Sequence, residues 1–474
     1  MNADSQAFDV IVIGAGSGGL NIAGFMNRVG FRVLLIDKSD EHIGGDCLNF
    51  GCVPSKALIH AARMVHEAKK SRQFGIEVSG VADWRKVRAY IKDRQAIFRE
   101  HENAAWFAKS GMTVVLGRAA FATANSVVVN GKEYYGKNIV IATGSRPRLI
   151  SGQGIEKLSR VLNNENIFDM EDLPKKLLVI GAGPIGTEIA QALAFLGVEV
   201  VVSDSGSMIL GKEDPEIAEV LMKKMQEHGV VFQMEHSLKE FTSPNEAVLT
   251  NAKGGEVNIT FDAVFVGVGR ALNIEGLDLE KAGIVLNERG SIEVDEYLRT
   301  SNRHVYLCGD IAGNYQFTHA AEMHAGVILR NFFSPLKKKF RGDHIAWTTF
   351  TNPEIATFGL QENEIKKRSM EYRILATDFS EDDRAITDDY QYGKSKLFVT
   401  TDGKVLGGTM VAPNAGELVQ ELILANSANI SIEKLFAKTY PYPSAGRINK
   451  RAISVFMAHK LTEVSKKILK LLYR

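Results

Sequence analysis

The sequence predicts an α/β protein with two Rossmann-like dinucleotide-binding domains and an α+β C-terminal domain. Three observations carry that reading. A strand, glycine turn, helix, strand and acid stand in register near the N-terminus, a second copy opens 167 residues later at Gly181 against Gly14, and the C-terminal segment mixes short strands with amphipathic helix. At 474 residues and 45% hydrophobic, the chain can bury large cores and form about three domains. A formal net charge of +1 creates no global field toward nucleic acid or an anionic membrane, so small molecules are the expected partners.

In the first unit the apolar run Phe8-Asp9-Val10-Ile11-Val12-Ile13 precedes Gly14-Ala15-Gly16-Ser17-Gly18-Gly19 and a helical stretch. Gly14 permits the tight turn, Gly16 lets a pyrophosphate approach the backbone, and Gly19 lets the helix pack on the strand. The next strand, Arg32-Val33-Leu34-Leu35-Ile36, ends in Asp37, placed to hydrogen-bond a ribose.

The stretch Gly44-Gly45-Asp46-Cys47-Leu48-Asn49-Phe50-Gly51-Cys52-Val53-Pro54-Ser55-Lys56 spends two of the three cysteines with four residues between them. Pro54 suits the first turn of a helix, and a helix start favours a thiolate. The pair reads as two buried cysteines that never meet, a structural disulfide or a redox centre. A chain this long needs no staple and carries no signal peptide or transmembrane-length apolar run, so a cytoplasmic redox centre is the expectation. Two cysteines alone do not complete a metal site, and Cys308 lies far off in sequence, so no metal site is expected.

The second unit runs from Lys176-Leu177-Leu178-Val179-Ile180 through Gly181-Ala182-Gly183-Pro184-Ile185-Gly186 to Val198-Glu199-Val200-Val201-Val202-Ser203 and Asp204. Gly181, Gly183 and Gly186 repeat the three glycine roles. Two copies mean a duplication with one dead site or two dinucleotides bound at once, and the dithiol motif between them favours the second. An Asp204 carboxylate facing a 2′-phosphate at about 4 Å costs on the order of 4 kcal/mol at an effective dielectric near 20, which favours NAD(H) over NADP(H). Asp204 as a plain turn cap is the alternative.

In the C-terminal segment, Lys337-Lys338-Lys339-Phe340-Arg341 reads as a solvated linker, with a membrane or polyanion contact as the lesser reading. Trp347-Thr348-Thr349-Phe350-Thr351 and Lys396-Leu397-Phe398-Val399-Thr400 read as strands and Thr401-Asp402-Gly403-Lys404 as a hairpin turn. Arg447 to Arg474 reads as one long helical stretch with Leu461, Val464, Ile468 and Leu471 on one face. Packing within a dimer is the favoured reading of that face, and membrane-surface binding the alternative.

With both units and the cysteine motif in place, the chain resembles the class I pyridine nucleotide-disulphide oxidoreductases, the flavoprotein family that includes dihydrolipoamide dehydrogenase, glutathione reductase and mercuric reductase. The resemblance covers nearly the whole chain. It implies FAD in the first unit, NAD(H) in the second and a C-terminal dimer interface. The implied division is 1–148 with 271–340 for FAD, 149–270 for NAD(H) and 341–474 for dimerisation. Ile141-Ala142-Thr143-Gly144-Ser145-Arg146-Pro147 resembles the family's strand-end motif, bringing in Thr143 and Gly144, and Val268-Gly269-Arg270 resembles the exit from the second domain, bringing in Gly269. His304-Val305-Tyr306-Leu307-Cys308-Gly309-Asp310 resembles the second FAD motif, which gives Asp310 the ribityl chain and leaves Cys308 packed and inert. Phe317-Thr318-His319-Ala320-Ala321-Glu322 resembles the helix start facing the flavin, where His319 binds, packs or caps.

The resemblance also implies that Cys52 lies against the flavin, that Cys47 exchanges with substrate, and that Lys56 near the flavin pairs with Glu188. Either of the last two is otherwise an ordinary surface charge. Electrons then pass from NADH through FAD to the Cys47–Cys52 disulfide and on to an acceptor, in a homodimer whose subunits share active sites.

Four positions depart from the pattern. In Tyr440-Pro441-Tyr442-Pro443-Ser444-Ala445-Gly446-Arg447, Tyr442 and Arg447 replace the His and Glu that move protons in disulfide-reducing relatives. A phenol with reference pKa near 10 is a poor base, placing a contribution of roughly 10²- to 10⁴-fold in question. Mercuric reductases also carry a tyrosine there, and a soft metal held by two thiolates needs no such base. The vicinal cysteines with which those enzymes usually end are missing from Lys467-Ile468-Leu469-Lys470-Leu471-Leu472-Tyr473-Arg474. Asp46 stands where many relatives have threonine and would raise the Cys47 pKa if the side chains meet. Leu272 stands where proline is common.

The expected activity is therefore an NADH-dependent FAD enzyme acting on a thiol, disulfide or soft-metal acceptor, in a mercuric-reductase-like branch. A dihydrolipoamide dehydrogenase of 2-oxoacid complexes is the alternative within the family. A slow flavoprotein redox sensor is the alternative from another class.

Overall fold

The computed structural model describes residues 7–150, 152–313 and 315–473. The chain divides into two compact units, Met1–Lys175 with Asp262–Arg341, and Lys176–Phe261 with Gly342–Arg474.

The first unit is built on a parallel sheet in the order Thr113–Leu116, Val33–Asp37, Phe8–Ile13, Lys132–Ile141, Val305–Leu307. Val10, Ile11, Val12, Leu34 and Leu35 are wholly buried, because helices cover both faces of such a sheet and every position of a strand meets protein. In register, Ile13 pairs with Ile36 on one side and with Ile141 on the other, while Ile141 also pairs with Leu307. This register gathers the strand ends preceding Gly14, Asp37, Thr143 and Asp310 at one edge, the place where open α/β sheets bind ligands. An antiparallel arm, Ala119–Thr123 with Ser126–Val129, continues from the early half of Lys132–Ile141.

The second unit holds a parallel trio, Lys176–Ile180, Glu199–Asp204 and Val231–Met234, followed by three antiparallel strands between His236 and Thr260. Its C-terminal part is a five-stranded antiparallel sheet in the order Ala346–Thr349, Glu354–Gly359, Val405–Ala412, Lys394–Val399, Arg373–Asp378, with helices packed on it. The expected turn at 401–404 joins two of these strands, with Gly403 at φ +86°. The architecture is thus the α/β and α+β combination that the motifs foretold.

The tail differs from expectation. It forms two helices, Arg447–His459 and Glu463–Leu472, with Leu461 in the connection. The cause is local: Thr462 Oγ1 accepts the Ser465 N–H at 3.2 Å and starts a new helix, a role threonine fills better than a helix interior. The first helix buries Ile448, Ala452, Ile453 and Phe456, whereas the second buries no residue. Arg474 lies outside the described residues. Among the described residues no helix is long and apolar enough to cross a membrane.

Candidate active site

The glycine turn of the first unit is held by contacts that leave no room for side chains. A Cβ on Gly14 would stand 2.3 Å from the Ala142 carbonyl oxygen, and one on Gly19 would stand 2.0 Å from the Gly14 carbonyl oxygen. Asp37 Oδ2 accepts the Ala15 N–H at 2.7 Å, so the acid that ends the second strand also fixes the turn. Burial pushes its carboxyl above the usual range, against that hydrogen bond. The second unit repeats the construction: Gly186 packs on Gly181, and Asp204 Oδ2 accepts the Ala182 N–H at 2.7 Å. Asp204 Oδ1 accepts the Gly206 N–H at 2.7 Å, so it caps the turn as well.

Gly45, at φ +63°, would carry a Cβ 2.6 Å from the Gly16 Cα, and this approach sets the cysteine segment directly on the glycine turn. Cys47 sits in a short helix, Gly45–Asn49, that the sequence reading did not separate from the longer one. Five residues cannot sustain a helix alone. Gln95 Nε2 holds this one by donating to the Leu48 and Asn49 carbonyls at 2.9 and 3.0 Å. Cys52 is the first residue of the helix Cys52–Lys70, with Pro54 in its first turn.

Cys47 and Cys52 are free thiols within hydrogen-bonding reach of each other. Donation from Cys47 holds the Cys52 thiol down to about 6, helped by Thr318 and by the Lys56 charge one turn along the helix. The Cys47 thiol is pushed up for the same reason, since its proton is shared with Cys52. Thr318 Oγ1 lies 3.2 Å from Cys52 Sγ and opens the helix Thr318–Phe333. Lys56 Nζ donates to Ser55 Oγ at 3.3 Å.

Asp46 is drawn to Arg270, whose guanidinium is 3.1 Å from Asp46 Oδ1, and to Asn164 Nδ2 at 3.2 Å. Its charge still raises both thiols, as the smallest of their influences. The same guanidinium reaches Ser145 Oγ at 2.6 Å through Nε, and Ser145 Oγ donates to Asp310. Asp310 follows Gly309, whose φ of +83° no ordinary side chain adopts, and burial pushes its carboxyl up. Cys308 is buried, its pKa raised by burial, and packs its sulfur where a Cβ on Gly18 would come within 2.6 Å.

Thr143 Oγ1 donates to the Asn273 carbonyl at 2.7 Å, and Gly144 and Gly269 both take positive φ beside the antiparallel pair Ser145–Pro147 and Arg270–Leu272. The His319 ring stacks on Phe317 with centroids 5.3 Å apart. Glu188 is buried in the second unit, where Oε1 accepts the Phe350 N–H at 2.8 Å. Lys56 and Glu188, expected as a pair, belong to separate compact units. Tyr442 is exposed, with the Arg447 guanidinium 5.2 Å from its ring centroid.

Sequence reading passed over Thr318, Ser145, Asn164 and the use of the Arg270 side chain. Thr318 and Ser145 adjoin His319 and Gly144, so adjacency was the available signal; Asn164 gave none. Among the described residues no group of three or more His, Cys, Asp or Glu stands together as metal ligands would.

Residues 8–325 match the family described as pyridine nucleotide-disulphide oxidoreductase, and residues 345–452 match its dimerisation domain. A dihydrolipoyl dehydrogenase of Chlamydia trachomatis is 30% identical over 94% of this chain and 96% of its own length. A mercuric reductase of Lysinibacillus sphaericus is also 30% identical, over 92% of this chain and 80% of its own. The crystal structure of LpdA from Mycobacterium tuberculosis superposes with a TM-score of 0.84 at 26% identity, covering 94% of this chain and 99% of that one. The paired thiols, the glycine turns and these matches together mean that the chain belongs to the pyridine nucleotide-disulphide oxidoreductases, as an FAD-dependent flavoprotein disulfide oxidoreductase.

Proposed function

We propose that the chain passes an electron pair from NADH to the Cys47–Cys52 disulfide and on to a disulfide or soft-metal acceptor. The observation that carries this reading is the unequal thiol pair, with the Cys52 thiolate favoured at a helix start and Cys47 holding the shared proton. Opening the disulfide takes two electrons and one proton and leaves a thiol and a thiolate. That is the asymmetry these surroundings support. FAD supplies hydride acceptance from NADH and two-electron delivery to sulfur when bound. The residues fit it: Gly16 would leave the turn open to a pyrophosphate, Asp37 would accept from a ribose, and Asp310 would hold the ribityl chain.

In this reading Cys47 exchanges with the acceptor, Cys52 stays with the flavin, and Lys56 and Glu188 form the ion pair beside it. Gly181, Gly183, Gly186 and Asp204 hold NADH in preference to NADPH. Thr143, Gly144, Gly269 and His319 take part in cofactor binding. The division into FAD segments 1–148 and 271–340, an NAD(H) domain at 149–270 and an interface domain at 341–474 gives each site a framework. The homodimer brings the partner's C-terminal domain, with Tyr442 in the place of a proton-shuttling histidine, to each dithiol. The exposed Tyr442 beside Arg447 supplies no ready base, which supports a thiol-bound soft metal over a disulfide as the preferred acceptor.

Relatives named dihydrolipoyl dehydrogenase favour a second reading, oxidation of a dihydrolipoyl group with NAD. Steady-state turnover separates the two. The first expects NADH-driven reduction of Hg(II) in excess thiol to exceed turnover of lipoamide or glutathione disulfide. Dihydrolipoamide oxidation with kcat above about 1 per second would replace it with the second.

A further inference from the structure

The helix Glu463–Leu472 is complete in itself and covered by nothing. Thr462 caps its first turn, Glu463 pairs with Lys466 at 2.8 Å, and no residue of it is buried. Val464, Ile468, Leu469, Leu471 and Leu472 are each more than half exposed. At 3.6 residues per turn these five fall on one side, while Glu463, Lys466, Lys467 and Lys470 fall on the other, with Lys466 and Lys467 at the two borders of the apolar stripe.

We propose that this helix is a membrane-surface anchor that lies in the interface of an anionic bilayer. Two features select that occupant over a second copy of the chain, and a third sets how it lies. Lysines flank the stripe on both borders, so a second copy seated on it would set like charges against each other, whereas on a bilayer their stems reach along apolar surface and their ammonium groups meet lipid phosphates. Three lysines against one glutamate give the segment the sign that an anionic leaflet attracts, although the whole chain is nearly neutral. Ten residues make about 15 Å of helix, half the thickness of a hydrocarbon core, so the segment lies on a bilayer and does not cross it.

The test is co-sedimentation of the FAD-loaded full chain with vesicles of phosphatidylglycerol and phosphatidylcholine, against vesicles of phosphatidylcholine alone. Binding is expected to the first only and is expected to weaken as salt rises. Lys466→Glu/Lys467→Glu/Lys470→Glu should lower the partition coefficient on the order of 100-fold or more, at about fivefold per lysine. Ile468→Ser/Leu471→Ser should lower it at least about 10-fold. Light scattering should give all three proteins one oligomeric mass, and far-ultraviolet dichroism and bound flavin should match, because none of these side chains is buried. Absence of vesicle binding, binding unchanged in both variants, or dissociation of the oligomer in Ile468→Ser/Leu471→Ser would overturn the proposal, the last by assigning the stripe to a subunit contact.

Discussion

Arg270 stands 3.1 Å from the carboxylate of Asp46, the residue before Cys47, and its Nε lies 3.7 Å from Asp310. One guanidinium with a tenth of its surface exposed therefore serves two carboxylates that repel each other, through direct contact and through Ser145. Asp46 is accommodated because this cation balances it.

Removing that cation should be costly. Arg270→Gln is expected to lose about 1–3 kcal/mol of stability through unpaired, partly buried carboxylates. It should also release flavin at a lower temperature than the wild type. Thermal denaturation followed by flavin fluorescence checks this, and Arg270→Gln/Asp46→Thr should recover part of the loss. Equal melting of wild type and Arg270→Gln would mean the network is idle.

The Cys52 thiol is held down to about 6. Above that value the reduced protein carries a Cys52 thiolate, and as pH falls through it the thiolate protonates. The long-wavelength absorbance of the two-electron-reduced protein should thus be full at pH 8 and fade with a midpoint near 6. Because donation from Cys47 is the largest cause, Cys47→Ala, read with its flavin oxidised, should move the midpoint up toward the ordinary thiol value of about 8.5. An unmoved midpoint would assign the effect to the helix start instead.

Asp204 uses both oxygens to fix its turn, so Asn is the substitution that keeps an acceptor and removes the charge. Asp204→Asn should raise the ratio of kcat/KM for NADPH over NADH at least about 10-fold, a fraction of the like-charge cost. A constant ratio would leave Asp204 as a turn residue only.

Gly18, in the helix Ser17–Arg28, and Cys308 form a packed pair. Gly18→Ala would place its Cβ 2.6 Å from Cys308 Sγ and should cost about 1–3 kcal/mol. Cys308→Ala opens that space, so the double variant should be more stable than Gly18→Ala alone. Denaturant unfolding of the four proteins in a cycle measures the coupling.

The parts of this fold that were legible in sequence are those in which a short segment carries its own constraint. Gly14, Gly19 and Gly186 sit where a Cβ has no room, Gly181 takes a φ of +104°, and Asp37 and Asp204 tie back to turns only a strand and helix away. Such local requirements write themselves as spacing. The tail break was within reach too, since Thr462 before Glu463 is a helix-start signal that a reading for apolar periodicity passed over. The Arg270 network was not, because its members are distant in sequence and meet only when the Ser145 and Arg270 strands pair. The helix carrying Cys47 also escaped, its stability coming from Gln95 on another helix and not from the propensity of its five residues.

The central claim is that Cys52 is the sulfur beside the flavin and Cys47 the one that meets the acceptor. Anaerobic titration of the yellow, FAD-loaded protein with NADH tests it most directly. A long-wavelength thiolate-to-flavin band should grow in after two electrons in the wild type, stand in Cys47→Ser before any NADH is added because its lone thiolate already faces oxidised flavin, and be absent from Cys52→Ser throughout. A band lost equally from both variants, or retained in Cys52→Ser, would contradict the assignment.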